Sequence, residues 1–186
     1  MSDLLGPVRW IDLRVAEFVV SIRTPALTEA MTSMTGLGSV TAGVVLVGLF
    51  HLAGWREEFR TSVVALSMLG VVVWALMSVV ERPFPSSPVC MTEGSSGTTS
   101  SFPSGHAAAV TAYAMVARTS EELPFAPTTA LAALIAFSRI YLGTHYLSDT
   151  VFGIGLGIAA VLVAERILDR IDIDALVTRL PFDPDR

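Results

Sequence analysis

Apolar residues gather in long blocks separated by short charged or proline-rich breaks. The blocks run from Leu37 to Gly54, from Thr61 to Val80, through Ala107–Val116, over about 127–142, and through Val151–Ala164. The breaks are Arg56-Glu57-Glu58-Phe59-Arg60, Glu81-Arg82-Pro83-Phe84-Pro85, Arg118 to Pro124, and Gly143-Thr144. About 20 helical residues cross a hydrocarbon core of roughly 30 Å. The pattern therefore predicts an all-α polytopic membrane bundle of about five transmembrane helices: 37–54, 61–80, 103–116, 127–142 and 145–166. Six spans are the alternative. Upstream, Arg9, Asp12, Arg14 and Glu17 punctuate residues 8–23, and each would cost about 2–3 kcal/mol near a bilayer centre. That stretch predicts an N-terminal interfacial amphipathic helix within 1–25, with Trp10, Leu13 and Val20 near one face, ended by Thr24-Pro25. Residues 26–36 read as a short methionine-rich segment on the protein or the interface.

Smaller features complete the outline. His51, near the end of the first span, reads as structural or interfacial. Residues 85–101, rich in Ser, Gly, Pro and Thr, read as an exposed loop. Gly153 and Gly157 form a small-xxx-small pair that points to close helix packing. Residues 169–186 read as a charged tail at the membrane surface, with Ile173, Leu176, Val177 and Leu180 at helical spacing. One domain covers 1–186, its transmembrane core being 37–168.

Composition strengthens the membrane reading. The 186 residues are 52% hydrophobic and 16% charged, with mean hydropathy +0.63; ordinary globular chains are about 25% charged. Net charge is −5 and all 12 basic residues are arginine, and nothing suggests a nucleic-acid-binding surface, which needs clustered basic residues. Cys90 stands alone, which rules out an intrachain disulfide and leaves an inert loop thiol. No cleavable signal peptide is expected, because Asp3, Arg9, Asp12 and Arg14 interrupt the required pattern.

With five spans, Arg82, His106, Arg139 and His145 fall on one membrane face. The connectors of that face, 84–102 and 143–148, contain no Lys or Arg; Arg56, Arg60, Arg118, Arg166, Arg170, Arg179 and Arg186 lie on the other. The positive-inside rule then puts the C-terminus in the cytoplasm and the polar cluster on the outer face of the cell membrane. Arginine offers a fork of donors that suits phosphate oxygens, and the helix opening at Ser104-Gly105 offers unpaired N–H groups to an anion. Together these residues read as a phosphate pocket. His145 and Asp149, four apart, share a helix face; a carboxylate on one ring nitrogen leaves the other as a nucleophile or base. The plainer alternative is that the pair caps the helix. His106 supplies a second histidine able to protonate a leaving group.

The sequences Pro103-Ser104-Gly105-His106 and Ser138-Arg139…His145…Asp149, with Arg82-Pro83 before them, resemble the type 2 phosphatidic acid phosphatase (PAP2) superfamily, to which vanadium haloperoxidases are related. The resemblance implies a lipid phosphate phosphatase acting on a lipid phosphomonoester or prenyl diphosphate, with no metal or other cofactor. It implies that His145 is the nucleophile, oriented by Asp149, and that His106 is the acid. Arg82, Arg139, Ser104 and the Gly105 amide would bind the phosphoryl oxygens. The family's first motif carries a lysine where this chain has Ala75, so one phosphate contact is missing or comes from another arginine. A catalytically inactive lipid-binding or scaffold protein is therefore the alternative, and a vanadate-dependent haloperoxidase a lesser one. The sequence does not address oligomeric state.

Overall fold

Alanine decides which helix sits at the centre. Seven of the thirteen residues in Gly105–Ala117 are alanine or glycine and eight of the thirteen are buried, because small side chains let neighbouring helices approach from every side. The computed structural model describes residues 6–89 and 100–171, and every regular element among them is helical. In chain order these are α1 (Gly6–Ser21), α2 (Pro25–Thr35), a 3-10 turn (Gly36–Gly38), α3 (Val40–Ala53), α4 (Arg56–Val80), α5 (Gly105–Ala117), α6 (Phe125–Tyr141) and α7 (Leu147–Arg170). α4, α6 and α7 pack around α5, α3 packs on α4, α2 on α6, and α1 against α6 and α7.

The helix ends follow local chemistry. Thr24 caps α2 by accepting from the Leu27 amide at 3.3 Å, with Pro25 in the first turn. Ser39 caps α3 by accepting from Ala42 at 3.2 Å, and α3 stops at Gly54, whose φ is +79°. The expected start of the third span at Pro103 moves two residues on. Ser104 is the N-cap of α5 and Pro103, which follows a cis peptide bond, lies outside the helix.

An all-α membrane bundle is what the structure has, but the spans are less uniform than the hydropathy pattern suggests. α4 and α7, with 25 and 24 residues, are each long and apolar enough to cross a bilayer. The segment 26–36, expected to lie apart from the first span, is helix α2. With the turn after it, α2 meets α3 at 55°, and the pair together passes as one broken span. Glycines at 36 and 38 and the Ser39 cap place the bend between the two helices. α6 is a shorter apolar helix of 17 residues, and α5, at 13 residues, reaches only about 20 Å. α5 needs no full span because its neighbours, not lipid, enclose it. Residues 172–186, and with them most of the expected surface tail, lie outside the described residues, as do residues 1–5 and the loop 90–99 with Cys90.

Gly153 and Gly157 bring α7 onto α5, as their spacing suggests. A Cβ at Gly153 would stand 2.5 Å from the Ser104 carbonyl oxygen, and one at Gly157 would collide with the Ala108 carbonyl oxygen. Gly155, between them, faces open space. Gly157→Ala should destabilise the detergent-solubilised protein by about 1–3 kcal/mol, the usual cost of overpacking. Gly155→Ala gains helix propensity with no clash and should not lower the melting temperature.

Candidate active site

The connector from α6 to α7 sets the spacing of its polar residues through backbone bonds. Thr144 and His145 both return their amides to the Arg139 carbonyl, each at 3.2 Å, and the Thr144 hydroxyl donates to the same oxygen at 3.0 Å. Gly143 makes the turn possible with φ +70°. The loop thus folds His145 back over the end of α6, beside the residue that carries Arg139. On the other side the Ser101 amide donates to the Arg82 carbonyl at 2.8 Å, and the Arg82 amide donates to the Ser100 hydroxyl at 3.0 Å. These bonds lay residues 100–101 against Arg82-Pro83 and aim the Ser101 carbonyl at His145.

His145 is 6% exposed, and its Nδ1 lies 2.5 Å from the Ser101 carbonyl oxygen. A carbonyl can only accept, so Nδ1 carries the hydrogen and Nε2 keeps its lone pair. The expected partner was Asp149, and the structure makes a different pairing. The Asp149 carboxylate, fully buried, receives the Arg82 guanidinium and the Tyr146 amide, the latter at 2.8 Å. Asp149 sits three residues into α7, where a carboxylate caps the helix start; that geometry turns it toward Arg82. Burial, then the Arg139 charge, pushes the His145 imidazole down to about 3, with the nearby His106 adding to the shift and the Ser101 carbonyl opposing it. His145 is neutral at ordinary pH.

Arg139 donates from Nη1 to the Thr35 hydroxyl of α2 at 2.8 Å, and its charge acts on both histidines. His106, on the first turn of α5, faces a largely apolar groove of about 460 Å³ between α3, α4 and α5. Ser104 is fully buried; its amide donates to the Asp149 carbonyl at 3.1 Å and its hydroxyl oxygen caps the Ala107 amide at 3.4 Å. Gly105 lies against Val73 of α4. His145 opens onto another cavity, of about 390 Å³, that Gly143, Tyr146, Phe84 and Arg23 also line. All seven residues singled out in the sequence therefore meet at one end of the bundle. The arginine-rich end, where Arg118 pairs with Glu165 at 3.3 Å, lies at the far end of α4 and α7. Among the described residues no cluster of His, Cys, Asp and Glu could hold a metal.

One residue of this network was invisible in the sequence. Asp12 of α1 is 1% exposed. Its Oδ2 accepts from Arg82 Nη2 at 2.6 Å and from the Ser148 hydroxyl at 2.6 Å, and its Oδ1 accepts the Ser148 amide at 2.9 Å. Arg82 is thus held between Asp12 and Asp149, and its guanidinium stacks on the Tyr146 ring with 4.2 Å to the centroid. Its Nε–H and second Nη2 hydrogen are not used by these bonds. In sequence Asp12 reads as one charge among four on an interfacial helix, and its partner lies 70 residues away. The interfacial reading of that helix fits the exposure of Trp10 and Leu13, but Asp12 faces inward.

The PAP2 superfamily model matches residues 63–172, a stretch that contains the whole cluster except the α1 and α2 contributions. The chain belongs to the PAP2 superfamily. Among similar proteins, phosphatidylglycerophosphatase B of Bacillus subtilis is 30% identical over 168 residues, covering 81% of this chain and 80% of that protein. Decaprenylphosphoryl-5-phosphoribose phosphatase of Mycobacterium tuberculosis is 30% identical over 114 residues; the match takes in 61% of this chain and 63% of the relative, less than two thirds of its length. Two solved structures share the fold. The transmembrane PAP2 type phosphatidylglycerolphosphate phosphatase of Bacillus subtilis superposes with a TM-score of 0.78 at 22% identity, over 90% of this chain and 89% of that one. LpxE of Aquifex aeolicus gives 0.71 at 24% identity, over 83% and 94%. With apolar helices of this length and relatives of this kind, the chain is a membrane protein.

Because Asp12 holds Arg82 and Ser148 together, Asp12→Ala leaves a largely buried guanidinium short of one partner. Breaking such a pair costs up to about 3–5 kcal/mol when fully buried, and somewhat less here because Arg82 is 24% exposed. The melting temperature of Asp12→Ala should fall well below that of Glu17→Ala, whose carboxylate sits in an exposed pair with Arg14 and should be nearly neutral.

Proposed function

We propose that this protein is a membrane lipid phosphatase that hydrolyses a lipid phosphomonoester or a prenyl diphosphate through a phosphohistidine on His145. The observation that carries the reading is the Nδ1 contact between His145 and the Ser101 carbonyl, which leaves Nε2 as a neutral nucleophile beside Arg139 and His106. Nε2 attacks phosphorus as the bond to the leaving oxygen breaks. The electron pair departs on that oxygen, which takes a proton from His106, held in its imidazolium form by the bound phosphate anion beside it. His106, now neutral, removes a proton from water, and the resulting hydroxide equivalent attacks the phosphohistidine, releasing phosphate and restoring His145.

Arg139, the Ser104 hydroxyl hydrogen and the Gly105 amide at the start of α5 hold the phosphoryl oxygens. Arg82 contributes the hydrogens its two carboxylates leave over, and Asp149 acts on His145 through Arg82 and the Tyr146 amide. No step requires a metal. The groove below His106 accepts the apolar part of the substrate. The site faces outward and the C-terminus lies in the cytoplasm, a reading supported by the arginines gathered at the opposite end.

The test separates the two histidines. General acid catalysis typically contributes about 10²–10⁴-fold and matters least for a good leaving group. In His106→Ala the first turnover, phosphoryl transfer to His145, should slow far more with an alkyl or lipid phosphate than with p-nitrophenyl phosphate, while loss of the water-activating base slows later turnovers with both. His145→Ala should be inactive on both, with no acid-labile phosphoenzyme trapped. An aryl substrate that rescued His145→Ala instead would exchange the two roles, and a native protein silent on every substrate would favour the inactive scaffold.

The His145 shift gives a pH prediction. The nucleophilic form is the neutral one, and its loss on acidification is displaced from the usual 6.5 down toward about 3. In His106→Ala, the first-turnover release of p-nitrophenol should therefore stay level between pH 7 and pH 5, with no limb near 6.5. Topology is tested separately by placing cysteines at Ser86 and at Thr119 in a Cys90→Ser background. An impermeant maleimide should label the first in intact cells and the second only after lysis.

A further inference from the structure

The cations available to substrate are fewer than the motifs suggest. Arg82 faces two carboxylates, and Ala75 replaces the lysine of the family's first motif. Another arginine lies on the wall of the His145 cavity. Arg23, between α1 and α2, donates from Nε to the Tyr141 carbonyl at 2.9 Å and from Nη1 to the Ser87 carbonyl at 2.8 Å. Both partners are neutral, and among the described residues no carboxylate forms an ion pair with it. Its remaining amino group lies against Gly143, where an added Cβ would stand 2.7 Å from Nη2. Gly143 is two residues before His145, and two residues of chain span at most about 7 Å. Glu17 is the one acid lining this cavity, and it is mostly exposed and paired with Arg14.

We propose that Arg23 is a second anion-binding residue, holding a phosphate that the substrate carries in addition to the one transferred to His145. The inference rests on the phosphatase reading for the transfer step, though not for the binding. A guanidinium already pinned by two carbonyls has lost most of its rotamer freedom, so less ordering is left for an anion to impose. The fork keeps Nη hydrogens that suit phosphate oxygens. The chemistry it selects is two linked phosphate groups, either a prenyl diphosphate or a glycerolipid bearing a phosphodiester beside its terminal phosphate.

Paired substrates isolate that contact. Farnesyl diphosphate is set against farnesyl monophosphate, and phosphatidylglycerol phosphate against phosphatidic acid, with native protein, Arg23→Gln and Arg23→Lys. Loss of a charge-assisted contact typically weakens binding by about tenfold or more. Arg23→Gln should raise KM by that factor for the two-phosphate member of a pair, with KM for the single-phosphate member within about twofold and kcat little changed. The pair that shows the split identifies the source of the second phosphate. Arg23→Lys, which keeps the charge, should retain most of the native ratio. Equal losses on both members of both pairs, or a fall in kcat alone, would reduce Arg23 to a tether between loops and overturn the proposal. Binding of inorganic pyrophosphate and inorganic phosphate, followed by calorimetry, reads the subsite without turnover. Selective loss of pyrophosphate affinity in Arg23→Gln supports the subsite even if native protein hydrolyses nothing, whereas equal affinity for both anions in native and variant protein rejects it.

Discussion

Arg82 holds three parts of the chain at once. Its guanidinium meets Asp12 from α1 and Asp149 from α7, while its backbone pairs with Ser100 and Ser101. Two buried carboxylates would repel each other without the cation between them, and the cation would be costly at this depth without them. The cluster is stable only complete. Its completion fixes where α1 docks, how α7 begins, and where the Ser101 carbonyl points. The orientation of His145 therefore depends on a charge triad that does not touch it.

This arrangement divides labour among groups that local spacing suggests would act directly. Asp149 is one turn from His145, yet helix capping turns its carboxylate toward the Tyr146 amide and Arg82. A backbone carbonyl fixes the histidine tautomer in its place. Helices α1 and α2, which precede the matched family region, each lend a side chain: Asp12 to Arg82 and Thr35 to Arg139. The N-terminal third of the chain is thus part of the polar network, with Tyr141 clipping it on through the Thr24 amide and the Thr28 hydroxyl.

What could be read from sequence was whatever depends on residue type at short range. The two histidine motifs, the glycine pair at 153 and 157, and the charged breaks between apolar blocks all announce themselves within a few residues. Asp12 did not, because a carboxylate on an amphipathic helix looks the same whether it meets water or an arginine 70 positions on. Ser101 did not, because a backbone acceptor leaves no signature in side-chain identity. The sequence did set 26–36 apart from the apolar block that begins at Leu37, but did not show that α2 joins α3 as one broken span at 55°. That depends on the chain bending at Gly36 and Gly38, and Gly38 has no room for a side chain between His106 and Ile135.

If the proposed phosphatase reading holds, the apolar groove below His106 changes the quantity that governs supply of substrate. The groove is walled by α3, α4 and α5 and lined by Val44, Val47 and Leu66, side chains that suit a lipid tail entering from the bilayer. A lipid phosphate arriving by that route never leaves the membrane phase, so its desorption does not enter the rate. The relevant concentration is then moles per area of leaflet. On that route, diluting the membrane with inert lipid would slow the proposed reaction, whereas diluting the vesicles in buffer would not.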